Sequence, residues 1–399
     1  MSRDVLPIVP RGPRAPFALL VALTASGTLG MHMIIPALPA TAAALGVGAG
    51  TIQLAITLYL VGLAIGQLVY GPISDRFGRR PVLLAGLSLY TIAGLVAAVA
   101  PNAAALIVAR VFQSLGGCSG LVLGRAIVRD AASADRAAGQ LALLTLVMSA
   151  VPAIAPVIGG YATAWLGWRA SFSLLAVFGG VALLLTYRFL PETLGARDGG
   201  RSAGAMFYSY VRLLSSRAFC GYAIGGACTT TSFYAFMSAS PFIFEHMLHR
   251  SPQEVGLYYL VLMGGVGLGG LSANRLAGRL RTRTALRIAN SLAITGAAAF
   301  ALADATGWLN VPSMVGPVAL FMVGAGMASP FAITGAVSVN PLAIGAASGL
   351  YGFVQMSYGV LCTVVVETWR PGAVFPVATV LLGSALLGQA ALSMAARRT

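Results

Sequence analysis

The sequence predicts an all-α membrane protein of twelve transmembrane helices, arranged as two six-helix bundles with pseudo-two-fold symmetry. Three observations carry that prediction. The 399 residues are 58% hydrophobic and only 9% charged, whereas soluble domains carry about a quarter charged residues. Uncharged windows long enough to cross a bilayer, about 20 residues in a helix, recur from end to end. The basic residues, 25 in number and all arginine, gather in alternate breaks between those windows.

No Asp, Glu, Lys or Arg occurs from Ala15 to Ser74, and the stretch PALPATAAALGVGAGT divides that run into two spans. The predicted helices cover roughly 16–38, 51–72, 81–100, 103–125, 139–162, 170–190, 218–243, 254–274, 285–304, 312–336, 344–366 and 371–394. A cleaved signal peptide cannot explain such a series. The opening MSRDVLPIVPRGPRAPFALL also lacks a cleavage site after a short apolar core, so the first span is read as retained. The longest polar connection, PETLGARDGGRSAGAMFYSYVRLLSSR at 191–217, separates an N-terminal bundle, 1–190, from a C-terminal bundle, 218–399.

A net charge of +15 suggests nucleic acid only where it forms a basic stripe on a folded surface. Here the placement follows topology, and nucleic acid is excluded as a partner in favour of the lipid bilayer. With both termini cytoplasmic, 21 arginines fall on cytoplasmic segments, leaving Arg110, Arg169, Arg250 and Arg370. Arginine-rich short loops stay cytoplasmic, so this bias sets the orientation and requires an even number of spans. Cys118, Cys220, Cys228 and Cys362 lie in or near apolar spans without a CxxC pair. They read as small packing residues rather than a zinc site or disulfide framework.

The halves carry a faded repeat. Gly71, Asp75 and Arg76 recur as Gly270, Asn274 and Arg275, and after one inserted residue Gly78 and Arg79 match Gly278 and Arg279. Carriers built from two six-helix halves leave this kind of internal symmetry, with a substrate site between the halves near mid-membrane.

The first copy, GPISDRFGRRP at 71–81, packs one acid and three arginines into one short break. Gly71 and Gly78 permit a sharp hairpin between the second and third spans, and Pro81 suits the first turn of the next helix. Asp75 closes the second span, a poor place for an anion on its own helix dipole, so it is expected to face the N-terminus of another helix. Arg76, Arg79 and Arg80 anchor the break at the headgroups and can pair with acids of neighbouring breaks, Asp130 first among them. The cluster would then act as a cytoplasmic gate that breaks as the halves rock. A plain positive anchor explains the arginines but neither Asp75 nor the glycines.

GPISDRFGRRP resembles the loop 2–3 signature of the major facilitator superfamily. RVFQSLGG, opening the fourth span, and VPAIAPVIGG, in the fifth, are similar to the antiporter motifs of that superfamily's drug exporters. PALPATAAALGV, LVLGRAIVRD, GWRASF, SASPFIFE and AASGLYGFVQ further resemble the bicyclomycin and chloramphenicol resistance branch, Bcr/CflA, from about residue 30 to about 360. The resemblance implies proton-driven efflux by alternating access. Its energy source would be the proton gradient with no cofactor, and its partners protons and a small amphipathic substrate. A monomer in the bacterial inner membrane is expected.

By resemblance, Arg110 is the fourth-span arginine, engaged in proton transfer or in organising the site. An arginine inside a span costs about 2.5–3.5 kcal/mol on insertion scales, so it should face a partner or cavity, and Gln113 is three residues on along the same face. The alternative is an arginine that snorkels to the surface. Pro152, Pro156, Gly159 and Gly160 imply a bent, tightly packed fifth helix, since proline kinks and small residues admit close neighbours.

Ahead of PALP this branch usually carries an acid, and here His32 stands in that place. Imidazole also binds and releases a proton near neutral pH, but it alternates between neutral and positive rather than negative and neutral. The ten acids fall in tails, breaks or near helix ends. The cargo is therefore expected to be neutral or weakly acidic. His32 is alternatively a packing residue, with coupling elsewhere or absent, which would make the chain an uncoupled or differently coupled metabolite exporter. Tyr59, Gln67, Tyr234, Gln355 and Tyr358 are candidate cavity residues alongside Gln113, offering aromatic faces and hydrogen bonds in a greasy site.

A membrane enzyme would need clustered nucleophiles, paired acids or metal ligands. His246 and His249 with Glu245 form a weak HxxH without HExxH, and no metal is expected. A sensor or scaffold would need an appended soluble domain, which the sequence does not provide.

Overall fold

The computed structural model describes residues 16–131, 134–194, 203–340, 344–369 and 371–395. Among the described residues there are helices and no strands. The first crossing consists of α1 (Phe17–His32), a 3-10 turn (Ile35–Ala37) and α2 (Leu38–Leu45). Then come α3 (Ala49–Phe77), α4 (Arg79–Ala98), α5 (Ala103–Ala131), α6 (Ala134–Leu166) and α7 (Arg169–Phe189). A short helix, α8 (Ala203–Leu214), leads into α9 (Arg217–Thr231), α10 (Phe233–Phe242) and a π-helical turn (Ile243–Met247). The second half continues as α11 (Pro252–Leu276), α12 (Thr282–Ala305), α13 (Val311–Ser338), α14 (Ile344–Trp369) and α15 (Val374–Ala395). Among the described residues eleven helical stretches are long and apolar enough to cross a membrane. The remaining crossing is α9 and α10 in tandem, interrupted at Ser232.

Three boundaries differ from the sequence reading. The first crossing continues past residue 38 because Pro36 and Pro39 sit in the first turns of the 3-10 turn and α2, where no amide is required. Gly46, at φ 64°, ends it. α3 runs through Pro72 as far as Phe77, so GPISDRF is helical and the break is Gly78 alone. Gly71 therefore makes no hairpin. Part of the 191–217 connection is helical, as α8.

Helix polarity explains where the arginines lie. Arg76, Arg129, Arg188 and Arg275 occupy the last turns of α3, α5, α7 and α11, cations at the negative ends of helix dipoles on one face of the molecule. On the opposite face, α11 and α13 begin with capping boxes, Ser251 with Glu254 and Asn310 with Ser313. A good N-cap stabilises by about 1 kcal/mol.

The halves repeat one packing plan. In the first, α5 packs against α1, α3 and α4; in the second, α13 packs against α9, α11 and α12. Between the halves α3 meets α14 and α6 meets α11, two pairings that a two-fold axis exchanges. Away from the arginines one core joins both halves, taking in Met33, Ile35, Ile56, Phe236, Phe242 and Tyr259. Toward the arginine-rich face it divides into separate clusters, one around Leu23, Leu83 and Leu123, the other around Phe219, Leu286 and Tyr351. Neither α5 nor α13 packs across to the other half. The apolar core is thus shared by both halves at one face and split into one cluster per half toward the other, where Gln67 and Leu68 of α3 still reach the second half.

Candidate functional site: a clasp, a buried arginine and a seam

The clasp lies at the arginine-rich face. Gly78 has φ 96°, and a Cβ there would lie 2.5 Å from Glu192 Oε2, so only glycine fits. The turn aims Arg79 back along α3, where it binds Asp75 at 2.6 Å and reaches Asp130 of α5 at 3.0 Å. These bonds join charged groups, which strengthens them. Of the three arginines that could pair with Asp130, Arg79 is the one that does. Asp75, however, does not face a helix terminus: it pairs with Arg79 one turn on. The acid at the N-terminus of α4 is Glu192, which accepts from the amides of Arg79 at 2.9 Å and Arg80 at 3.1 Å. Arg80 donates to the Tyr187 carbonyl at 2.8 Å, and Arg76 lies over the Phe77 ring. Every partner belongs to the first half, so in this state the cluster ties helices of one bundle together and does not bridge the two.

The buried arginine is Arg110, fully enclosed in the first half and not snorkelling. Its guanidinium sits 3.9 Å from the centre of the Tyr59 ring and 6.0 Å from that of Phe172, a cation held by aromatic faces. Nη1 donates to Gln113 Oε1 at 2.6 Å. No carboxylate pairs with it among the described residues. Arg110 Nε and Nη2, Gln113 Nε2 and the Tyr90 hydroxyl have no hydrogen-bond partner among the described residues, a cluster rich in unpaired donors. The Tyr59 hydroxyl donates to the Gly27 carbonyl at 2.8 Å. Tyr59 and Gln113 thus belong to the interior of the first bundle, not to the space between bundles.

The seam is where the halves meet. Gly159 and Gly160 of α6 abut the carbonyls of Met33 and Pro252, while Gly256 of α11 abuts that of Pro156; Pro152 stands one turn earlier on α6. Along α14, Gln67 packs on Gly352 and the Tyr234 ring on Gly359. Gln355 donates to Thr230 at 2.9 Å and Tyr358 to Ser384 at 2.9 Å. Four of the six candidate cavity residues therefore gather around one helix, Gln67 reaching it from the first half while Tyr234, Gln355 and Tyr358 make these contacts within the second. His32 ends α1, buried, with Nδ1 2.9 Å from the Thr28 carbonyl. That bond fixes the proton on Nδ1 and leaves Nε2 without a partner among the described residues.

The profile of the Major Facilitator Superfamily matches residues 20–363. The chain belongs to the major facilitator superfamily. It is 32% identical over 332 residues to a Chloramphenicol resistance protein of Pseudomonas aeruginosa, a match covering 82% of this chain and 74% of that relative. It is 31% identical over 346 residues to Multidrug resistance protein D of Escherichia coli K12, covering 86% of both. A crystal structure of a D-xylose-proton symporter superposes with a TM-score of 0.72 at 15% identity, covering 93% of this chain and 96% of that one, a likeness of fold alone. The named relatives agree with the Bcr/CflA resemblance.

Two features of this superfamily member escaped sequence reasoning. Glu192 lies in what reads as the start of a linker, and only the fold brings it to α4. Glu367 stands near a helix end, yet it is buried at the seam, accepting from Thr57 Oγ1 at 2.5 Å. The signal for Glu367 was its place in VVVETW, two residues inside the end of an apolar run.

Proposed function

We propose that this chain is a proton-driven exporter of small amphipathic compounds, neutral or weakly acidic, working by alternating access. Its arginine-rich face and both ends are cytoplasmic in a bacterial inner membrane. The observation that carries the reading is the asymmetric junction of the halves, one shared core over one face and a separate core in each half toward the arginines, where an exporter would load cargo. The printed names of the relatives, a chloramphenicol resistance protein and a multidrug resistance protein, supply the cargo class. The side chains gathered along α14, Gln67, Tyr234, Gln355 and Tyr358, are uncharged, which suits a neutral amphipathic molecule better than a lipophilic cation. We assign Arg110 a positioning role in the first bundle, since guanidinium does not give up its proton, and regard the carrier as a monomer with no cofactor.

Expression in an efflux-deficient host, with a drug panel with and without a protonophore, tests this reading. Protection against a neutral amphenicol that vanishes when the gradient collapses is expected. Protection that survives the protonophore would favour facilitated export, and strong export of a quaternary ammonium dye would remove the cargo assignment. The alternative, coupling that bypasses His32, is favoured by the ring's commitment to Thr28. His32→Ala with gradient-driven export intact would establish it.

A further inference from the structure

Among the described residues Glu367 is the one buried carboxylate, 8% exposed. It belongs to α14 of the second half, and its hydrogen bond is to Thr57 on α3 of the first, so the bond crosses the seam. Thr57 Oγ1 is also 2.8 Å from Thr363 Oγ1, one turn back along α14 and nearer the arginine-rich face. Nearby crossings are neutral: Gln53 donates to the Ser238 carbonyl at 3.0 Å, and Gly50 rests on Pro371.

No described cation balances Glu367. The ion pairs present involve Arg79 and Arg250, neither with this residue. Around this end of α14 stand α3, α10 and α15. The charges of α3, Asp75 and Arg76, are at its other end, and its Tyr59 hydroxyl is committed to Gly27. α10 contributes Tyr234, packed on Gly359, and the described part of α15 has no titratable side chain. On α14 itself Tyr358 donates to Ser384, and the Cys362 sulfur lies near the same hydroxyl. Arg370 lies outside the described residues.

A carboxylate sealed in such a place without a counter-ion is strongly disfavoured, and the neutral acid far less so. The seam is also the part of the molecule that must open when the carrier faces the other way. We propose that Glu367 is a proton-binding group of this carrier: the seam between α3 and α14 closes over the neutral acid, and opening it returns a carboxylate to water. The proposal rests on the exporter reading and names its proton site. With the seam open, the carboxylate takes one proton from outside, forming an O–H bond as the seam closes. In the closed seam the neutral acid donates to Thr57 Oγ1, which donates to Thr363 Oγ1, and that hydroxyl in turn donates to the Val360 carbonyl. The proton leaves to water when the carboxyl is next exposed, so one proton is bound and released per cycle.

The test needs no cargo. In full-length protein with the four native cysteines replaced by alanine, Gln53→Cys, at a fully buried seam position, is labelled from outside with a membrane-impermeant maleimide. Labelling should fall as external pH falls, E367Q should abolish the pH response and label poorly throughout, and E367D should restore a response. An equal pH response in E367Q, or none in the parent, overturns the proposal. Gradient-driven chloramphenicol export is measured alongside. Export lost in E367Q and kept in E367D supports the assignment. A parent that exports nothing in the panel while its labelling stays tied to pH and to Glu367 sinks the exporter reading and leaves the proton site standing.

Discussion

The two copies of the arginine-face turn share a backbone device and differ in what it holds. Gly78 and Gly278 both take positive φ, 96° and 78°, and each is followed by arginine. In the first copy the turn is locked: Arg79 is 11% exposed at the side chain and bound to Asp75 and Asp130, while Glu192 caps α4. In the second, Asn274 replaces the acid, and one inserted residue moves Arg279 from i+4 to i+5. Space around Gly278 is open, and none of that turn's arginines is ion-paired among the described residues. Glycine makes the bend, but acids at the right spacing make the clasp, and only one half has them.

The contrast can be broken most sharply at the glycines. Gly78→Ala should cost about 3 kcal/mol, because φ 96° with ψ 152° is a region held almost only by glycine and the new methyl displaces Glu192. Gly278→Ala should cost about 1 kcal/mol, the strain of positive φ alone. Thermal unfolding of the purified proteins in detergent measures both, and equal losses would erase the distinction. The arginines come next. Arg79→Ala should destabilise by about 2 kcal/mol, less than a fully buried pair, since Asp75 and Asp130 keep 47% and 26% exposure. Arg279→Ala should stay within about 0.5 kcal/mol, like other surface substitutions. The smallest effect sharpens the cause. Asn274→Asp restores the acid but not the spacing, so it should shift stability by no more than about 0.5 kcal/mol; a larger gain would show that the missing acid, not the inserted residue, unlocks the second turn.

Much of this was legible in the sequence. Apolar run length gave the crossings, arginine placement the common face, and the repeat the equivalence of Gly78 and Gly278. That Asp130 could pair with an arginine of this turn followed from charge, but not which of the three. Side-chain direction was not legible. These helices are apolar on nearly every face, so periodicity does not separate lipid from bundle from seam, and Tyr59 and Gln113 read like Tyr234 and Gln355. Proline was also misleading: Pro36 and Pro39 begin helical turns, and Pro72 lies within one. Glu192 and Glu367 were missed for a related reason, since a residue near a helix end looks wet until the neighbouring helix is known.

Where α6 crosses α11, Gly160 and Gly256 bring main chain against main chain, with the carbonyls of Pro252 and Pro156 as the facing surface. At those two positions no side chain stands between the helices. That junction can serve as a smooth bearing, keeping the bundles in register through the swing while resistance to motion concentrates at the acid and hydroxyls between α3 and α14.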